Sequence, residues 1–198
     1  MNNRSAILLS GGMDSIALSY WQRPTIAITL DYGQKPARAE IAAAATIAKL
    51  LDMEHYILHV DCSSLGCGDL SENKPLDMAP VSEWWPYRNQ MLVTLGAMKA
   101  IQLGVKELML GSVKTDGLHI DGTKEFYQQL SDLVSMQEGN IVITAPAIDM
   151  TTVELIKVSG IPISMLLWAH SCHTSNEPCG KCHGCIKYRF VREHLGIV

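Results

Sequence analysis

The sequence predicts an α/β fold: a doubly wound parallel sheet of five strands, closed by a short metal-stapled tail. Three observations carry that reading. Short apolar runs alternate with helical patterns from the first residues onward, the mark of strands joined by crossover helices. The first run leads straight into a glycine turn, Ser10-Gly11-Gly12. Four of the six cysteines fall in the last 27 residues, whereas a disulfide framework would spread them along the chain.

The elements follow in order. Ser5–Leu9 and Thr25–Leu30 are rich in Ile, Leu and Ala and bounded by turn residues, so they read as buried strands. Between them Asp14–Trp21 is just long enough for a helix. Pro36–Met53 is the clearest helix, with proline near its start and apolar residues at Ile41, Ala44, Ala45, Ala48 and Leu51. Glu54–Val60 is a third strand, Arg88–Leu103 a helix, Glu107–Leu110 a fourth strand, Lys124–Gln137 a helix and Ile141–Thr144 a fifth strand. Thr151 or Thr152 caps a helix through Val158, with Glu154 in the favourable first turn. Residues 1–168 form one domain, and 169–198 are a tail packed on it.

Composition narrows the function. At 198 residues, 47% of them hydrophobic and 18% charged, the chain can bury a real core, which excludes disorder, collagen-like repeats and coiled coil. A net charge of −4 offers no global basic field for a nucleic acid. The run Met165–Ala169, with its lead-in Ile161–Ser164, is far below the roughly 20 apolar residues a membrane span needs. The N-terminal apolar stretch is too short for a signal peptide. A cytoplasmic protein is expected, with thiols that are reduced, metal-bound or catalytic.

In a doubly wound sheet, ligands sit beyond the carboxyl ends of the strands, so the loops there matter most. Ser10-Gly11-Gly12-Met13-Asp14-Ser15 joins the first strand to a helix start. Its glycines allow an anion close to the backbone, and the helix end supplies free N–H groups. Asp14 is out of place among phosphate donors unless magnesium lies between. The loop is neither a Walker loop nor a Gly-x-Gly-x-x-Gly turn. A stretch of almost thirty residues, 61–87, shows no periodicity, and loops of that length are usually functional or disordered.

Cys172-x6-Cys179-x2-Cys182-x2-Cys185 supplies four thiolates within fourteen residues. Structural zinc suits that set, with Pro178, Gly180 and Gly184 permitting tight reversals. An iron–sulfur cluster is the rival, although its next ligand would fall near Arg189. Cys62 and Cys67 have no partner spacing, so they are expected as small hydrophobes.

Ser-Gly-Gly-x-Asp-Ser after a first strand resembles the pyrophosphatase loop of the N-type ATP pyrophosphatases. Together with Asp31-Tyr32-Gly33-Gln34, Pro86-Tyr87-Arg88-Asn89, Gly111–Asp116 and the cysteine knuckle, it makes the whole chain resemble the QueC family, the 7-cyano-7-deazaguanine synthases. That resemblance implies an adenine nucleotide alpha hydrolase-like fold and conversion of 7-carboxy-7-deazaguanine to an amide and then a nitrile, with ATP and ammonia. It places ATP against Ser10, Gly11, Gly12, Asp14, Ser15 and Gly111, with adenine near Leu30 and Asp31. Asp14 and Asp116 help to hold Mg2+. Arg88 and Asn89 face the reacting carboxylate and phosphate, and Lys181 approaches from the knuckle, so Asp14, Arg88, Asn89 and Lys181 are the catalytic set. The deazaguanine pocket takes Tyr87, Arg88, Asp116, His119 and Asp121. The resemblance also implies a homodimer, while structural Zn2+ is expected from the cysteine spacing and no nucleic-acid or membrane partner from the charge and the short apolar runs.

Three departures from the family pattern stand out. Gly117-Leu118-His119-Ile120-Asp121-Gly122-Thr123 replaces the usual substrate segment, Lys35-Pro36 shifts the register toward Glu40, and Trp84-Trp85-Pro86-Tyr87 adds bulk. They keep open an alternative: a divergent enzyme of a bacterial antiphage system. Such an enzyme would stop at the amide, or pass the activated deazaguanine to an amine on a partner protein.

Overall fold

The computed structural model describes residues 4–197. Five strands, β1 (Ser5–Leu8), β2 (Ile26–Asp31), β3 (Glu54–His59), β4 (Glu107–Leu110) and β5 (Val142–Thr144), form one sheet in the order β3-β2-β1-β4-β5. Every pairing is parallel. The helices are α1 (Met13–Gln22), α2 (Ala37–Leu50), α3 (Arg88–Gln102), α4 (Lys124–Ser135), α5 (Thr152–Ser159), α6 (Ile163–Leu166) and α7 (His183–His194). No helix among the described residues is long and apolar enough to cross a membrane.

Alternation along the strands sorts the core into two layers. Ile7 of β1, Leu9 just after it, Ala27 of β2 and Met109 of β4 point to one face, where they meet Ile16 and Leu18 of α1, Ile47 of α2 and Leu155 of α5. Ala6, Ile28 and Leu108 point to the other, against Val93 and Ala97 of α3 and Leu130 of α4. The sheet is wound on both faces, as expected. β1 lies at its centre, and the order reverses between β1 and β4. The crevice opens there, beyond the strand ends.

Element boundaries differ from expectation where the backbone turns. α2 ends at Leu50 rather than Met53, because Asp52 adopts a φ of 55° and redirects the chain into β3. The main difference is α7, whose twelve residues the sequence pattern does not announce. Its buried positions are only Gly184, Cys185 and Val191, so it has no broad apolar stripe. Val191 nevertheless sits in the same core as Ile7 and Leu155, with Leu195 and Ile197 packed against it. The other end of the helix belongs to a small cluster of its own, in which Cys185 packs with Cys172, Cys182 and Cys179.

Candidate active site

The loop after β1 is shaped for an anion. Gly11 has a φ of 80°, and a Cβ there would stand 2.6 Å from the Glu40 carbonyl, so only glycine fits. Ser15 Oγ donates to the Gly12 carbonyl at 3.0 Å and lies 3.1 Å from Ser10 Oγ, while the Gly12 N–H donates to Ser10 Oγ at 3.3 Å. Gly12, the N-cap of α1, carries no side chain to cap the first turn. Its N–H groups are left to a ligand. Gly111, at the end of β4, meets the loop from below: a Cβ on it would fall 2.8 Å from Ser15 Cα.

Asp14 and Asp116 converge on one lysine. Lys187 Nζ of α7 donates to Asp14 Oδ2 at 2.9 Å and reaches Asp116 Oδ1 at 3.4 Å. Burial raises the Asp14 pKa; Lys187 opposes that effect and Asp116 adds to it. Burial alone would lower the Lys187 pKa, but the two carboxylates outweigh it and the group stays cationic. Asp14 Oδ1 and Thr152 Oγ1 of α5 are buried near each other, and neither makes a well-formed hydrogen bond among the described residues. An unpaired carboxylate oxygen beside a phosphate loop fits magnesium, which takes oxygen ligands from carboxylates and substrate phosphates together.

Across the crevice, α3 brings Arg88 and Asn89. Asp121 fixes Asn89: its carboxylate accepts from the Asn89 backbone N–H at 3.3 Å, and its carbonyl accepts from Asn89 Nδ2 at 3.1 Å. Glu40 accepts from Gln34 Nε2 at 2.8 Å. Burial pushes the Glu40 pKa up to about 7, despite the opposing effects of Gln34 and Arg88. Tyr127 accepts from Ser112 Oγ at 2.8 Å, and burial pushes its phenol up to about 12.

A cleft of about 880 Å³ joins these groups. Of the residues singled out in the sequence, Ser10, Gly12, Asp14, Ser15, Leu30, Arg88, Asn89, Gly111, Asp116 and His119 line it. The others stand elsewhere. Gly11 shapes the loop from behind. Asp31 is held by the His59 ring at 3.0 Å and the Gly33 N–H at 3.3 Å. Tyr87 is 77% exposed, at a φ of 57° that starts α3. Asp121 is hydrogen-bonded to Asn89, and Lys181 is exposed and off the cleft wall. Lys187, Glu40 and Glu83 line the cleft without having been singled out for it. Only the helical phase of α7 could have pointed to Lys187, and that phase is weak in the sequence.

The knuckle closes one end. The Sγ atoms of Cys172, Cys179, Cys182 and Cys185 all lie within 4.8 Å of one another. Two of the separations, Cys179 to Cys185 and Cys172 to Cys182, are 3.9 Å. A tetrahedron with Zn–S bonds of 2.3 Å has edges of about 3.8 Å, so the donor set fits zinc. Backbone N–H groups of Cys179, Cys182 and Cys185 donate to sulfur at 3.3–3.4 Å, which favours thiolates. Glu83, buried in the segment after β3, accepts from His183 Nδ1 at 2.6 Å and ties that segment to α7. Cys67 is buried in the same segment, its Sγ 3.2 Å from the Trp84 carbonyl.

Comparison with known proteins agrees with this geometry. The chain is 25% identical to a 7-cyano-7-deazaguanine synthase of Methanococcus maripaludis strain C7, over 98% of its own length and 96% of that protein's. It is 28% identical to the synthase of Desulforudis audaxviator, over 98% of each. Among solved structures, an NMN synthetase from Francisella tularensis superposes with a TM-score of 0.52 at 16% identity, covering 98% of this chain and 77% of that one. That likeness concerns the fold. The model of the family described as "Queuosine biosynthesis protein QueC" matches residues 4–191, so the chain belongs to the QueC family.

Proposed function

We propose that this chain is an ATP-dependent carbon–nitrogen ligase acting on 7-carboxy-7-deazaguanine. A carboxylate oxygen of the substrate attacks the α-phosphorus of ATP, and pyrophosphate leaves. Ammonia then displaces AMP to give the amide. The amide oxygen then attacks the α-phosphorus of a second ATP, pyrophosphate leaves again, and elimination of AMP with loss of the two nitrogen protons yields the nitrile. The observation that supports this most is the meeting of Ser10–Ser15, from one face of the sheet, with Arg88 and Asn89, from the other, over one cleft.

The chain's own groups have distinct tasks in this reading. The hydroxyls of Ser10 and Ser15 and the N–H groups at the start of α1 receive the leaving pyrophosphate, whose charge they stabilise as it develops. Arg88, oriented beside Asn89, neutralises the substrate carboxylate and the α-phosphate, which would otherwise repel each other. Asn89, fixed by Asp121, holds the acyl group in line. Magnesium held by Asp14 and Asp116 would add Lewis-acid polarisation of the phosphoryl oxygens. The four cysteines would hold zinc and so fix the start of α7.

One observation favours a second reading. Asp121 is engaged with Asn89 rather than lining the cleft, which leaves its carboxylate less free to grip a guanine-type edge. A pocket altered in that way could release the amide after one cycle, or pass the acyl group to an amine on a partner protein. The test is incubation of zinc-loaded enzyme with the acid, ATP, magnesium and ammonium, with products resolved by mass spectrometry. Nitrile supports the first reading, and amide or a protein conjugate alone supports the second. Absence of substrate-dependent pyrophosphate release overturns both.

A further inference from the structure

Lys187 has no task in the scheme above, yet it occupies the centre of the phosphate site. Its Nζ stands between Asp14 Oδ2 at 2.9 Å and Asp116 Oδ1 at 3.4 Å. A purely structural ion pair would be expected to satisfy its buried partners, because an unpaired charged oxygen in the interior is costly. Here the other Asp14 oxygen is buried and has only the Thr152 hydroxyl of the same cleft wall near it, a neutral group that makes no well-formed hydrogen bond to it and supplies no charge. Two carboxylates against one ammonium also leave the cluster one charge short of neutral. The lysine covers part of a site built for more positive charge than it carries.

We propose that Lys187 is the resident cation of the phosphate site, filling the place between Asp14 and Asp116 until magnesium arrives with ATP. The inference rests on reading Ser10–Ser15 as the pyrophosphate loop. The backbone of α7 is anchored by the Cys182–Cys185 end of the knuckle and by Val191 in the core, so the helix stays in place. The four-carbon lysine stem is free to swing. Magnesium alone must expel an ammonium that is tethered next to its partners and returns at high effective concentration. Magnesium bound to a triphosphate brings a new anion for the displaced ammonium, so metal and nucleotide enter together. Lys187 is thus a positioning residue that makes metal binding conditional on the nucleotide.

Mn2+ binding followed by electron paramagnetic resonance tests this on zinc-loaded enzyme, with and without ATP. The variants are Lys187→Met, Lys187→Gln, which keeps a hydrogen-bond donor, and Lys187→Arg, which keeps the charge. Zinc content and melting curves are checked first. Without nucleotide, the Met and Gln variants are expected to bind Mn2+ on the order of tenfold more tightly than the native enzyme. The Arg variant is expected to match the native enzyme. All four proteins are expected to bind Mn2+ with ATP. Equal nucleotide-free affinity in the native, Met and Gln proteins, with Mn–ATP binding intact, overturns the inference and leaves the functional reading standing. Failure of all four to bind Mn–ATP overturns the functional reading along with it.

Discussion

The backbone N–H of His170 donates to the Gly11 carbonyl at 2.9 Å, joining the start of the cysteine-rich tail to the middle of the phosphate loop. The cysteine cluster and the loop Ser10–Ser15 are therefore linked through the backbone. Chelating the metal, or substituting Cys182→Ser, is expected to lower the melting temperature and weaken ATP binding together. Thermal denaturation alongside calorimetric ATP titration checks this. A variant that melts early but binds ATP normally would show the two sites to be independent.

Asp14→Asn removes the charge from the carboxylate that faces the loop while keeping its shape. Substrate-dependent pyrophosphate release is expected to fall on the order of 100-fold or more, the usual cost of losing a group that stabilises transition-state charge. The melting temperature is expected to rise or stay level, because burial disfavours the carboxylate in the folded chain. Pyrophosphate release that survives the change would remove Asp14 from the catalytic set.

Asp121→Ala deletes the carboxylate that accepts from the Asn89 backbone, and loosens the turn whose carbonyl holds the Asn89 amide. A small displacement of a positioning group costs up to about 100-fold in rate. The expected result is a fall in kcat with ATP affinity unchanged. A loss confined to substrate KM would instead put Asp121 in the nucleobase pocket.

Glu40 gives a pH signature. Its pKa of about 7 in the fold lies above the ordinary carboxylate value, so the folded chain binds the extra proton more tightly than the unfolded chain does. The contribution to stability is present at low pH and is lost as pH rises toward about 7. Glu40→Gln is expected to melt higher than the native protein at pH 8, with the difference closing as pH falls toward 5. A gap that does not change with pH would assign the effect to packing.

Gly111→Ala inserts a methyl group 2.8 Å from Ser15 Cα, where only backbone can give way. Overpacking of this kind costs about 1–3 kcal/mol. Because the strained contact is the start of α1, weaker ATP binding is expected to accompany the loss of stability. Denaturant unfolding and ATP titration of the same preparation check both.

The parallel sheet was legible because each strand is a short apolar run bounded by turn residues, and Ile7 and Ala6 need only alternate to serve two helix layers. The loop Ser10–Ser15 and the four cysteines were legible because their chemistry is local in sequence. The remainder depends on contacts between distant segments. Asp121 and Asn89 meet over 32 positions and Lys187 and Asp14 over 173, which no spacing rule reaches. Tyr87 lies next to Arg88 in sequence, yet a left-handed φ turns it out to solvent. Lys181 and Lys187 are both basic residues beside a knuckle; the helical phase of α7 is what separates their positions.

That phase has a consequence for how the tail can vary. Cys185 and Lys187 ride on one helix, in which each residue advances the side-chain direction by about 100°. A single residue inserted between them would carry the ammonium about 100° around the helix, away from Asp14 and Asp116, with the thiol still in place. Substitutions at the solvent-facing positions of α7 leave this alignment alone, but a change in its residue count does not. The tail tolerates spelling changes far better than changes of length.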